Sequence, residues 1–308
     1  MTERRHTGTK IHVPVMPKEV LSSLAISTGG IYLDGTVGMG GHATLILKQL
    51  SPNGHLIGID RDAEALNECE KRLSNFPTPI SLFHDSYHNI NTILDGLGIE
   101  TVNGILLDLG LSSLQLDSAE RGFSYTVDSD LDMRFDSSQD QKASDIINHL
   151  PVMELADIIY QYGEERRSRR IARSIEKMRP LKSVFDLIEA IRRSTPPNHR
   201  DRSLARVFQA IRIKVNGELD KLESLLSSFV ERLSIGGRIS IISFHSLEDR
   251  IVKRFYKTGK FQGEIEKDIY GNYSLPYKII GKLIVPNQTE INRNVRARSA
   301  KLRIAERV

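Results

Sequence analysis

A chain of 308 residues, 39% hydrophobic and 27% charged, has the composition of a globular protein with one large or two ordinary domains. No apolar run reaches the roughly 18 residues of a membrane span, the start "MTERRHTGTKIHVPVM" lacks the apolar stretch of a secretory signal, and the lone Cys69 excludes an intramolecular disulfide, so a cytoplasmic protein with no membrane contact is expected. The net charge of +4 is gathered unevenly, with fifteen Arg or Lys against six Asp or Glu from Gln161 to Lys214, six against one from Ile291 to Val308, and about −10 over the remainder.

The predicted elements begin with an alternation. "GIYLD" reads as a strand and "HATLILKQLS" as the helix after it; "GHLIGID" and "DAEALNECEKRLS" repeat the pattern. "PISLFHD" and "VNGILLDLG" are two further strands of the buried type, with the helical "YHNINTILDGL" between them. This rhythm predicts an α/β fold, a parallel sheet covered by helices on both faces. Cys69 falls within the second helix and reads as a small packed residue rather than a reactive thiol.

Then the rhythm stops. The next strand is "GGRISIISF", residues 236 to 244, more than 120 residues beyond Ile105. A βαβ unit needs only about 30, which implies an insertion. Between roughly 113 and 215 the chain is helix-like and arginine-rich, with a capping-box pattern at Ser183 and Asp186. Leu204, Phe208, Ile211 and Val215 share one helical face there. The expected organisation is a discontinuous main domain, 1–112 with 216–308, and an inserted helical domain, 113–215. "GELDKLESLLSSFVERLS" predicts one helix carrying Leu219, Leu222, Leu226, Phe229 and Leu233, stopped by Gly236. "PYKIIGKLIVP" and "RSAKLRIAE" read as paired strands.

The first turn, "DGTVGMGGH", places Gly38, Gly40 and Ala43 in the spacing of a dinucleotide fingerprint, and Asp60 closes the second strand twenty residues after Gly40. Taken alone, this allows NAD or another adenosine cofactor. Asp34 separates them. A carboxylate just before the glycines would repel a pyrophosphate but attract the sulfonium and ammonium of S-adenosylmethionine.

Nine segments in order, "HVPVM", "DGTVGMGGH", "GIDRD", "LLDLGLSSLQLDSAERGFSY", "DLDMRFD", "YGEERRSRRIARSI", "RVFQAIRIKVNGEL", "GGRISIISFHSLEDRIVKRF" and "RNVRARSAKLR", closely resemble the bacterial small-subunit ribosomal RNA cytosine-N4 methyltransferases, the RsmH or MraW type. The resemblance runs from about His12 to Arg307. It implies a class I, Rossmann-like S-adenosylmethionine methyltransferase fold with an inserted helical substrate-recognition domain. It also implies 16S rRNA in the small ribosomal subunit as partner, with a cytosine of the decoding region as acceptor. Carried over by motif, the donor-contacting positions are Gly40, Gly41, His42, Asp60, Tyr87, Asp108 and Gln115, to which the charge argument adds Asp34.

Cytosine N4 is a poor nucleophile, because its lone pair is delocalised into the ring, and it must lose a proton. Asp108, in "DLGLSS" after the fourth strand, is the candidate acceptor and catalytic residue. His245 and Glu248 in "SFHSLEDR" are further polar candidates, although Ser246 with Asp249 has the spacing of a helix cap. Arg121, Phe123 and Tyr125 offer a phosphate contact and base-stacking surfaces. Arg166, Arg169, Arg170 and Arg173 fall at i, i+3, i+4 and i+7, one helical stripe suited to RNA phosphates. No His or Cys cluster has metal-ligand spacing, so no metal is expected. Oligomeric state stays open, the extra helices serving either a homodimer contact or RNA alone.

Overall fold

Short β-branched and leucine-rich runs bounded by Asp, His and Gly form the parallel half of one sheet: β1 (Ile31–Asp34), β2 (His55–Asp60), β3 (Ile80–His84) and β4 (Val102–Asp108). The structure is a computed structural model that describes residues 14–112, 115, 121–265, 267, 269–271 and 273–308. His12, Val13 and the expected domain boundary at Ser113 lie outside these. Between the strands run α1 (Pro17–Leu24, before β1), α2 (Gly41–Leu47), α3 (Ala63–Leu73) and α4 (Ile90–Gly96). Helix α4 is preceded by a 3₁₀ turn, Tyr87–Asn89.

After β4 the chain leaves the sheet. Among the described residues five longer helices follow, α5 (Ala143–His149), α6 (Val152–Gly163), α7 (Ser168–Met178), α8 (Val184–Ser194) and α9 (Arg200–Asn216). They close around an apolar cluster of their own that includes Ile146, Ile159, Ile171, Ile175, Ile191 and Ile211. The expected α9 face is buried throughout, from Leu204 to Val215. Ser183 and Asp186 form the capping box of α8. Helix α9 ends at Gly217, whose left-handed backbone (φ 59) also begins α10 (Glu218–Ser228), so one residue turns the chain back toward the sheet.

β5 (Leu233–Ser243) then pairs parallel to β4, and α11 (Ser246–Thr258) follows it. β6 (Tyr277–Ile279), α12 (Gln288–Arg293) and β7 (Lys301–Arg307) complete the chain, with β7 antiparallel to both β5 and β6. The strand order is β3-β2-β1-β4-β5-β7-β6. Successive side chains alternate between faces. Leu33, Ile57, Ile105 and Ile241 meet α4, α10 and α11 on one side, while Tyr32, Leu56, Leu106 and Ile242 meet α1, α2 and α3 on the other.

One expected element ends early. The helix drawn to Leu233 stops at Ser228, Leu233 opens β5, and Gly236 (φ 77) lies inside that strand. The register shifts between Val102↔Leu233 and Gly104↔Arg238, so a bulge absorbs the extra residues and the helical spacing of Leu233 is a coincidence. Among the described residues no helix is long and apolar enough to cross a membrane.

Candidate active site

In an open α/β sheet ligands bind beyond the carboxyl ends of the strands, because the turns there leave backbone and polar groups facing a crevice. A cavity of about 460 Å³ lies at that edge, within the range of small-molecule sites. Its floor is the turn after β1 together with Asp60, Asp108 and Tyr87; its roof is built by residues 123–135 and by α9, both after β4.

The turn is held from below. The backbone N–H of Gly38 donates to Asp60 Oδ2 at 2.7 Å, and that of Asp62 donates to Oδ1 at 2.9 Å. Burial raises the Asp60 carboxyl to about 6 against these bonds. Gly38 and Gly41 line the cavity, as does His42 in the first turn of α2. Gly40 does not. Its backbone is left-handed (φ 79), and a Cβ there would sit 3.1 Å from Cys69 Sγ, so this glycine lets α2 pack against α3. Cys69 is fully buried, and its thiol is pushed up to about 12 by burial.

Asp34 also lies elsewhere than its position before the glycines suggests. It is 1% exposed, beneath the turn rather than on the cavity wall, and Oδ1 accepts from Thr36 N–H at 3.2 Å. Desolvation raises its carboxyl to about 7, opposed by His42. Among the described residues, Asp60, Asp108 and Glu248 are the carboxylates that reach the cavity.

Asp108 ends β4, where Thr36 Oγ1 accepts from its backbone N–H at 2.7 Å. Its Oδ2 lies 3.6 Å from His42 Nε2. Both ring nitrogens of His42 and Oδ1 of Asp108 are buried without a hydrogen-bond partner among the described residues. Buried polar atoms rarely stay unpaired, so these three fit a ligand that supplies the missing bonds. Tyr87 closes over the turn because Gly35 has no side chain: a Cβ there would stand 2.9 Å from that of Tyr87. Gln115 lines the cavity with its amide committed, accepting from Ser112 N–H at 3.0 Å and donating to Asp62 Oδ2 at 3.3 Å.

Arg121, expected to meet phosphate, is turned inward to Asp62 and to the carbonyls of Arg134 and Phe135. Phe123 and Tyr125 do face the cavity. Phe123 stacks on Phe135 (5.7 Å between centroids), and Tyr125 meets Phe208 edge-on at 5.7 Å. Sequence reasoning missed Phe135, Gln209, Arg212 and Phe244. The signal for the α9 pair was available, since Ala205, Phe208, Gln209 and Arg212 recur at i, i+3, i+4 and i+7 beside the apolar stripe, and all four line the cavity.

The cap of α11 is His245 with Glu248, not Ser246 with Asp249. Asp249 instead holds Lys301 and Arg303 at 2.9 and 2.8 Å, and Ser246 Oγ donates to Glu164 at 2.6 Å. Both capping residues also reach the cavity, so they serve structure and site together. Ligand atoms of Glu218, His245 and Glu248 come within 4.8 Å of one another. Arg212, however, takes both Glu218 oxygens at 2.9 Å, which makes the group an ion-pair cluster.

A parallel sheet with its reversed strand beside β5, a glycine turn after β1 and a carboxylate closing β2 define a class I, Rossmann-like S-adenosylmethionine methyltransferase fold. The comparison with known families is specific. The chain belongs to the MraW methylase family, whose model matches residues 9–308. It is 50% identical over 301 residues to the ribosomal RNA small subunit methyltransferase H of Thermosipho africanus, covering 96% of this chain and 98% of that protein. The Flavobacterium johnsoniae protein of the same name is 44% identical over 307 residues, covering 98% and 99%. A solved rRNA methylase from Streptococcus thermophilus aligns with a TM-score of 0.44 at 12% identity over 97% of this chain and 99% of that one, too distant a likeness to bear on function.

Proposed function

We propose that this protein methylates the exocyclic N4 amine of a cytosine in the decoding region of 16S rRNA, using S-adenosylmethionine as donor. The coarser statement, a donor-dependent methyltransferase of small-subunit rRNA, follows from the full-length family membership. The observation that carries the finer reading is the pairing of His42 and Asp108, with unpartnered buried atoms, beneath a roof of aromatic rings. A base lifted from an RNA strand is held by stacking and by bonds to its edge, and this cavity supplies both.

In this reading Gly38, Gly41, His42, Asp60, Tyr87 and Gln115 hold the donor, and Phe123, Tyr125, Phe135 and Phe208 hold the base. Gly40 and Asp34 support the turn from behind. The bound donor supplies a methyl group already activated on a cationic sulfur. Floor and roof hold N4 at near-attack distance, about 3 to 3.5 Å, which contributes several kcal/mol. Asp108 Oδ1 accepts a hydrogen bond from N4–H, which restores lone-pair density at nitrogen, and takes the proton as the N–CH3 bond forms. The 113–215 segment is the inserted substrate-recognition domain, and the partner is the small ribosomal subunit in the cytoplasm.

The test is incubation with labelled donor and small ribosomal subunits lacking the modification, followed by nucleoside analysis. N4-methylcytidine is the expected product. A label on a ring carbon or on ribose rejects the N4 assignment.

A further inference from the structure

We propose that the solvent face of α7 is a docking surface for phosphates of the RNA strand flanking the acceptor nucleotide; this rests on the rRNA methyltransferase reading and extends it beyond the cavity. Helix α7 is sharply two-sided. Ser168, Ile171, Ala172 and Ile175 are buried, whereas Arg169, Arg170, Arg173 and Lys177 are exposed, with Arg166 exposed in the turn before them.

These five side chains make no ion pair or hydrogen bond among the described residues. Elsewhere arginines are consumed internally, as in Arg121 with Asp62, Arg134 with Asp132, and Arg212 with Glu218. The second basic region of the sequence is largely spent in the same way. Lys301 and Arg303 neutralise Asp249, and Arg307 donates to the carbonyls of Glu231 and Leu233. Only tertiary structure separates the two regions.

Helix stability does not account for the α7 arrangement. Like charges at i, i+3 and i+4 repel. Cations at a helix N-terminus oppose the macrodipole, and the first turn of α7 carries no acid to offset them. Both effects would favour removing these arginines. A polyanion reverses both, and planar guanidinium groups suit phosphate oxygens.

The face also begins at the right place. Buried Glu165 lies 3.8 Å from Arg167, which caps α7, and 3.7 Å from Arg206, the neighbour of cavity-lining Ala205. Glu164 bonds Ser246 and Arg250, and Ser246 adjoins cavity-lining His245. The N-terminal end of α7 is therefore pinned at the cavity mouth from two sides. From there the eleven residues of the helix extend for about 16 Å.

The experiment uses the full chain carrying Arg169→Ala, Arg170→Ala and Arg173→Ala together, and separately the reversal Arg169→Glu with Arg173→Glu. Binding of a single-stranded rRNA fragment of about 20 nucleotides is measured against salt. With one phosphate per arginine, the triple variant flattens the slope of log K on log salt by about 2. With small subunits, KM rises by roughly tenfold or more while kcat and S-adenosylhomocysteine affinity stay unchanged, because phosphate contacts position the RNA without entering the chemistry. Melting temperatures at or above wild type show that the variants fold. An unchanged slope and KM overturn the proposal, and so does a loss confined to assembled subunits with naked RNA bound normally, which marks a protein partner. The salt slope needs no turnover. If wild type fails to methylate, the enzymatic reading falls while the slope still decides the surface.

Discussion

His42 Nε2 stands 3.6 Å from Asp108 Oδ2, joining the first turn of α2 to the end of β4 across the floor of the cavity. Oδ1 of Asp108 and both nitrogens of His42 lack hydrogen-bond partners there among the described residues. If Oδ1 is the proton acceptor, Asp108→Asn keeps the shape of the site and removes the base. Single-turnover kcat is then expected to fall by about 10²- to 10⁴-fold with donor binding retained. Retained kcat with weakened donor binding alone would reassign Asp108 to holding the donor.

Asp60 accepts two backbone N–H groups and still faces the cavity, so it both braces the glycine turn and is available to a ribose. Asp60→Ala is expected to weaken S-adenosylmethionine by tenfold or more, since a hydrogen bond to a charged group contributes about 1.5–3 kcal/mol. Equilibrium dialysis with S-adenosylmethionine and NAD side by side provides the check. Binding of NAD by wild type at comparable affinity would overturn the choice of donor.

Burial lifts Asp34 from an ordinary 3.8 to about 7, so the folded protein holds a proton that the unfolded chain has already released. A raised carboxyl contributes stability that is complete below about pH 3.8 and lost as pH climbs through about 7. Asp34→Asn cannot ionise and removes this loss. Urea unfolding at pH 5 and pH 8 should show a smaller fall in stability for the variant than for wild type. Parallel pH profiles would mean that the carboxyl ionises without penalty.

Gly40 combines a left-handed backbone with a Cβ position 3.1 Å from Cys69 Sγ. Gly40→Ala is expected to cost about 1–3 kcal/mol from backbone strain and overpacking together. Adding Cys69→Ala relieves the contact but not the backbone, so the double variant should recover part of the loss. Strict additivity in a double-mutant cycle would show that the two side chains do not meet.

Much of this protein was legible along the chain because its signals are local. Alternating apolar runs marked the strands of the main sheet. The glycines between Asp34 and His42 marked the turn at the cavity floor, and the gap between Ile105 and Ile239 marked the helices that follow β4. The spacing of Leu204, Phe208, Ile211 and Val215 marked the buried face of α9. Apart from that gap, which is read from length alone, each depends on residues only a few positions apart, where backbone geometry fixes which side chains share a face.

The tertiary structure alone decided where individual side chains spend their bonds. It put Asp34 under the turn and Gly40 against Cys69, turned Arg121 inward to Asp62, and gave Lys301 and Arg303 to Asp249 while the arginines of α7 were left facing water. The physical reason is that a charge or a small residue takes its role from whatever lies within a few ångströms, and the partners named for Gly40, Arg121, Lys301 and Arg303 lie between 29 and 59 positions away along the chain.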